Sequence, residues 1–245
     1  MHTRKFLTLT VIACSLFLTN ARAQKLKNFL DNSDSSFTWL GVDFTQARLI
    51  GDAGANTADA VDRHFAGINQ VVVNEPKKYD VPGNLHHEKV TYDISLVNKR
   101  NAAINKDNIK TDNVSDGSRL KPEDISTLVK GFDFGGKSGI GALVVMEGLN
   151  KTANEASMYI TLIDMDRRRV LLTERYTGKA KGFGFRNYWA YSVYKALEDF
   201  DDDYKKLKEK YADAKDPVEE TPKKEGKTAI AQDGAKAAKK PKKKS

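Results

Sequence analysis

Ala142-Leu143-Val144-Val145-Met146 is an unbroken apolar run of strand length. A strand with no polar face must be covered on both sides, so this segment is read as the centre of a sheet. The chain around it has the material to build the covering layers. Of 245 residues, 40% are hydrophobic and 30% charged, which suffices for one sizeable core and excludes a mostly disordered protein.

Periodicity supplies the other elements. Trp189, Val193, Ala196, Phe200, Tyr204, Leu207 and Tyr211 recur at steps of three and four, the signature of a long C-terminal helix. Its outer part, from Lys205, is charged enough to project beyond the domain. Val61, Phe65, Ile68 and Val72 align on one face of an earlier helix, which Thr57 would cap and which would end near Asn74, before Pro76. A short helix runs from Pro122 to Lys130-Gly131, with Glu123 and Asp124 in its first turn. Residues 37–44 are aromatic and β-branched and read as a first strand. Val90, Tyr92, Ile94 and Leu96 alternate with polar residues, which predicts a strand over 90–96 with one wet face. Residues 158–163 and 170–176 form two more strands, joined by the charged turn 164–169, while 98–119 is read as a long polar loop. This order gives a single α/β (or α+β) domain: a mixed sheet of about five strands, packed by two or three helices.

The net charge of +8 sits at the ends. Arg4, Lys5 and Arg22 contribute three positive charges to residues 1–23, and nine Lys against four acids contribute five to 217–245, so 24–216 is balanced. Arg4 and Lys5 precede the apolar run 6–18, too short to span a bilayer, and Ala21-Arg22-Ala23 follows as a small-x-small cleavage site. Residues 1–23 are therefore expected to be a secretory signal. Val11-Ile12-Ala13-Cys14 imitates the approach to a lipidated cysteine, but Ser15-Leu16-Phe17-Leu18 stays apolar where lipoproteins turn polar. Cleavage after Ala23 leaves a chain with no thiol, hence no disulfide, no sulfur-bound metal and no cysteine nucleophile.

Residues 217–245 lack aromatics and are read as a disordered tail, leaving 24–216 as the globular unit. Lys239, Lys240, Lys242, Lys243 and Lys244 form a candidate contact for polyanions, anionic lipid or acidic polysaccharide, or else simply solubilise the chain. With no aromatic in the tail to stack on bases, selective nucleic-acid binding is not indicated.

Several motifs invite chemistry. Gly131-Phe132-Asp133-Phe134-Gly135-Gly136-Lys137-Ser138 matches the phosphate-loop pattern, but the pattern works only between a strand and a following helix, and here a helix precedes and a strand follows. It is read as a helix-to-strand connection. His86-His87-Glu88, with His64, could be imagined as a metal cluster; adjacent histidines on a strand diverge, which leaves only His86 and Glu88 able to share an ion, and the segment is read instead as exposed polar residues leading into a strand. Asp164 and Asp166 beside three arginines fit a turn with its own salt bridges better than a cation site. No catalytic, cofactor or metal residue is assigned. Lys179 to Trp189 mixes cations, glycines and aromatics; exposed, these would suit carbohydrate or a partner protein, and buried they would be core.

Over residues 142–200 the order of a buried strand, a strand hairpin and a long helix resembles small periplasmic accessory domains, the group of the TolB N-terminal domain, LpoB and the curli-assembly CsgG proteins. Residues 39–52 are also similar to bacterial secreted proteins of unknown function. The loop at 98–119 and the lysine tail depart from that pattern. The resemblance implies a fold and a cell-envelope setting and transfers no residues. Three functions stay open: a non-enzymatic exported accessory protein binding an envelope partner, an enzyme acting on extracellular polymer, and a polyanion or nucleic-acid binder working through the tail. No transmembrane helix is expected in the mature chain, which would be periplasmic or surface-associated.

Overall fold

The computed structural model describes residues 25–213. The expected leader, Cys14 and the lysine-rich tail lie outside the described residues.

Strand β5 (Ile140–Asn150) is the axis of the domain, buried from Ile140 to Leu149. Its side chains part as the apolar run requires. Ala142, Val144 and Met146 join one core cluster, while Leu143 and Val145 join a second on the opposite face. On one flank β5 pairs antiparallel with β6 (Glu155–Asp164), which pairs antiparallel with β7 (Arg169–Lys179). On the other flank it has two parallel neighbours in succession. Strand β1 (Phe37–Asp43) lies beside its first half, and β2 (Arg48–Ile50) beside its end. Outside them β3 (Val90–Tyr92) pairs with β1 and β4 (Lys110–Thr111) pairs with β2, again parallel. The result is a seven-stranded mixed sheet in a single α/β domain.

Helix α1 (Lys25–Asp31) contributes Leu26, Phe29 and Leu30 to the larger core. Helix α2 is one rod in three parts: an α-turn at Thr57–Asp59, a π-helical stretch Ala60–His64, and the α-helix Phe65–Asn74. Val61, Phe65, Ile68 and Val72 are all buried against the sheet, as their spacing predicts. The cap is Asn56 rather than Thr57, its side chain accepting from the Asp59 amide at 3.1 Å. Two short helices, α3 (Pro76–Tyr79) and α4 (Val81–Asn84), lead toward β3.

The strand expected over 90–96 stops at Tyr92. The Asp93 carboxylate accepts from the Ser95 amide at 3.0 Å and turns the chain into α5 (Ser95–Ala102). Beyond Trp39 the outer edge of β1 therefore has no strand beside it. Two buried asparagines replace it: Asn69 accepts from the Val42 amide at 2.6 Å, and Asn101 accepts from the Phe44 amide at 2.8 Å. Both also donate to the Val42 carbonyl, at 3.1 and 2.9 Å, so the interrupted edge is satisfied without backbone pairing.

The segment expected as a long loop is ordered. It holds the end of α5, 3-10 turns at Lys106–Asn108 and Val114–Ser118, and β4. Asn105 and Asn113 cap those turns. Helix α6 (Pro122–Lys130) packs with α5 and the loop after it on the second face, whereas α2 and α7 (Gly184–Lys210) cover the first. The end of α7 does not project. Leu207 is buried, the Tyr204 hydroxyl donates to the Leu30 carbonyl, and Lys210 and Tyr211 both hold Glu174. No helix among the described residues is long and apolar enough to cross a membrane.

Candidate functional site

The chain from Gly182 to Trp189 separates into core and surface residue by residue. Trp189 is buried, Phe185 and Tyr188 are half-buried, and Phe183 is 96% exposed. The glycines beside Phe183 explain how so large a side chain is held in water. Gly182 and Gly184 have φ of +124° and +73°, values that favour glycine, and they turn the Phe183 ring away from the domain just before α7 begins.

Behind this ring lies a cleft of about 490 Å³. One wall is the loop after β2 and the start of α2, with Asp52, Asn56 and Asp59; the other carries Lys151 from the β5–β6 turn and the aromatics of α7. The aromatic lining is internally braced. His64, from the π-helical stretch, stacks on Phe185 with ring centroids 5.0 Å apart, and Tyr188 meets Trp189 edge-on at 4.8 Å. Lys151 places its ammonium 3.8 Å from the Tyr188 ring centroid, and the Tyr188 hydroxyl donates to Asn154 at 2.5 Å. A second cleft of about 380 Å³ lies on the far side, where Arg63 and Arg186 join His64 and Phe185. Phe183 lines both clefts.

Partial burial and the neighbouring Arg63 charge hold the His64 imidazole below its ordinary range, which favours the neutral ring near pH 7. That ring is committed to its stack, and Asp59 is engaged by Arg63 at 2.9 Å. Among the described residues no group of three or more His, Cys, Asp or Glu is placed to hold a metal ion.

The other motifs resolve as follows. The phosphate-loop look-alike joins the end of α6 to β5, with no helix after it to aim amides at a phosphate, and Lys137 sits 2.6 Å from Asp93. Lys137 and the Ser95 hydroxyl together lower the Asp93 pKa to about 2. His86 and His87 do diverge, but from a turn rather than a strand: His86 has φ +58°, stacks on Tyr204 and bonds Asp201 at 2.6 Å. His87, expected to be exposed, is 3% exposed and stacks on Phe29 at 3.8 Å, because α1 folds over it. Asp164 is fully buried and paired with Lys25, Arg167 and Arg169 at 2.8, 3.0 and 3.5 Å, while Asp166 takes Lys25 and the Gly139 amide, both at 3.0 Å. This is the salt-bridged turn read from the sequence. Lys239, Lys240, Lys242, Lys243 and Lys244 lie outside the described residues.

Comparison with models of known protein families, with characterised proteins and with solved structures returned no match to this chain.

Proposed function

We propose that this chain is an exported, non-enzymatic accessory protein of the cell envelope that grips a protein partner at the Phe183 ridge. The observation that carries the reading is an aromatic ring 96% exposed between two clefts, backed by a floor of mutually packed aromatic rings. A single exposed apolar side chain is ordinary by itself, but this one is set out on a glycine-flanked turn between two clefts, so that a partner would meet an apolar ring flanked by concave surface. Arg63 is paired with Asp59, and Arg186 and Lys151 outnumber the remaining Asp52, which suits a partner segment that combines an apolar or aromatic side chain with acidic neighbours. The apolar leader and its small-residue cleavage site support export, and the lysine-rich end supports a second, electrostatic contact with anionic envelope material.

The test is site-specific photocrosslinking in the producing cell, with a photoreactive phenylalanine analogue at position 183 of the full chain. The expected result is one discrete adduct with an envelope protein, still formed when 217–245 is deleted. With that partner in hand, Phe183→Ala is expected to weaken binding about tenfold or more. The same change should alter folding stability by less than about 0.5 kcal/mol, since the ring packs on nothing it would vacate. Adducts that vanish with the tail, or an F183A chain that binds as tightly as wild type, would replace this reading with the tail-driven one.

A further inference from the structure

The rows of the sheet beside β5 are both interrupted, the outer one over a span that includes the break in the inner one. The first is interrupted between Asp43 and Arg48, the second between Tyr92 and Lys110. The chain segments that fill these interruptions do not close over each other, and a cleft of about 420 Å³ opens between them. It lies beyond the carboxyl end of the parallel strand β1, the position at which open parallel sheets hold ligands.

Its lining carries charge of one sign. Arg48 and Arg100 reach it, with Thr45 and Asn105 as polar neighbours and Ile104 and Ile109 as an apolar wall; no acidic residue lines it. Arg100 is fixed in place. Its Nε donates to the fully buried Asp43 at 2.9 Å, and its guanidinium lies 4.5 Å from the Phe132 ring centroid. Asp43 is thereby neutralised, its other oxygen accepting from the Thr45 amide at 2.8 Å. Arg48 has no such compensation. It donates to the Ala47 carbonyl at 3.2 Å and has no carboxylate partner among the described residues. A further guanidinium stands nearby: burial and the Arg48 charge both lower the basicity of Arg119, whose donors go to the carbonyls of Gln46, Asp116 and Glu147. A half-buried, unpaired guanidinium beside a preoriented one is a fork for a planar oxyanion, which gains charge-assisted hydrogen bonds there.

We propose that this cleft binds a small organic carboxylate, its head group on Arg48 and Arg100 and its apolar body against Ile104 and Ile109. The site is independent of the Phe183 ridge and of any protein partner there.

The experiment is a titration of the full chain with sodium hexanoate and, separately, with inorganic phosphate at low ionic strength, followed by the arginine Nε–H resonances in NMR spectra. Two variants locate the effect. Arg48→Gln removes the uncompensated charge without touching the Arg100–Asp43 pair. Asn105→Asp keeps the side-chain oxygen that accepts from the Asp107 amide at 3.0 Å but adds a negative charge to the lining. Hexanoate is expected to shift the Arg48 and Arg100 signals, and each variant to weaken it about tenfold or more. Because the lysine-rich end is the same in all three chains, binding that survives both substitutions belongs to that end and overturns the site. Failure of hexanoate to bind, or binding of phosphate alone, overturns it as well.

Discussion

Alanine at position 178 is expected to destabilise the domain by about 3 kcal/mol, the upper end of what overpacking costs. Gly178 is buried near the end of β7, where α7 crosses the strand. A β-carbon there would lie 2.0 Å from the Ser192 carbonyl oxygen and 2.8 Å from the Ser192 carbonyl carbon. These are backbone atoms of a 27-residue helix, so no side-chain rotation relieves the overlap. Strand and helix must move apart, and Trp189, Val193 and Ala196 then lose part of their contact with the sheet. Denaturant unfolding of Gly178→Ala, beside Thr177→Ala on the exposed face of the same strand, separates this effect from strand propensity. Thr177→Ala should change stability by less than about 0.5 kcal/mol. A Gly178→Ala chain equally stable would mean that the helix does not approach the strand as described.

The second large effect is a loss of stability on mild acidification, traced to His87. Its ring is enclosed by Phe29 and Phe37, and neither nitrogen has a hydrogen-bond partner among the described residues. Burial holds its pKa below the ordinary 6.5; the nearby Ser33 and Ser35 backbone opposes that only in part, and His86 adds to it. The sign follows directly. Below pH 6.5 the unfolded chain takes up a proton that the folded chain refuses, so stability falls as pH drops, by at most about 1.4 kcal/mol per pH unit. His64, also depressed, slopes the same way, whereas the lowered pKa values of Asp93 and Asp164 act only in stronger acid. Comparing wild type with His87→Phe isolates the contribution, since phenylalanine keeps the stack and carries no proton. The variant should lose most of the slope between pH 7 and 5. An unchanged slope would assign the acid sensitivity elsewhere.

What the sequence made legible were the features decided by neighbours in the chain. The apolar run at 142–146 specified a strand buried on both faces, and it is the axis of the sheet. The three- and four-residue spacing from Trp189 specified α7, and the charged turn at 164–169 specified the hairpin. Where two local signals compete, the reading fails: 90–96 alternates like a strand, yet the Asp93 carboxylate captures the Ser95 amide and starts a helix. Features that depend on tertiary approach were not readable at all. Nothing near Asn69 or Asn101 indicates that they stand in for a missing strand. His87 is buried only because α1 folds over it, and Arg48 and Arg100 line one cleft only because the interruption of the outer row spans that of the inner one. Phe183 was within reach because its glycine neighbours advertise a turn; whether it faced core or solvent depended on where α7 began.

The length of α7 has a consequence for how two attachments could coexist. A 27-residue helix rises about 40 Å, so the Phe183 ridge at its start and the point near Tyr211 where the chain continues toward its lysine-rich end are that far apart. If the ridge holds a partner and the lysine-rich end an anionic surface, as proposed, this helix is the spacer that separates the partner's seat from the point at which the tail departs.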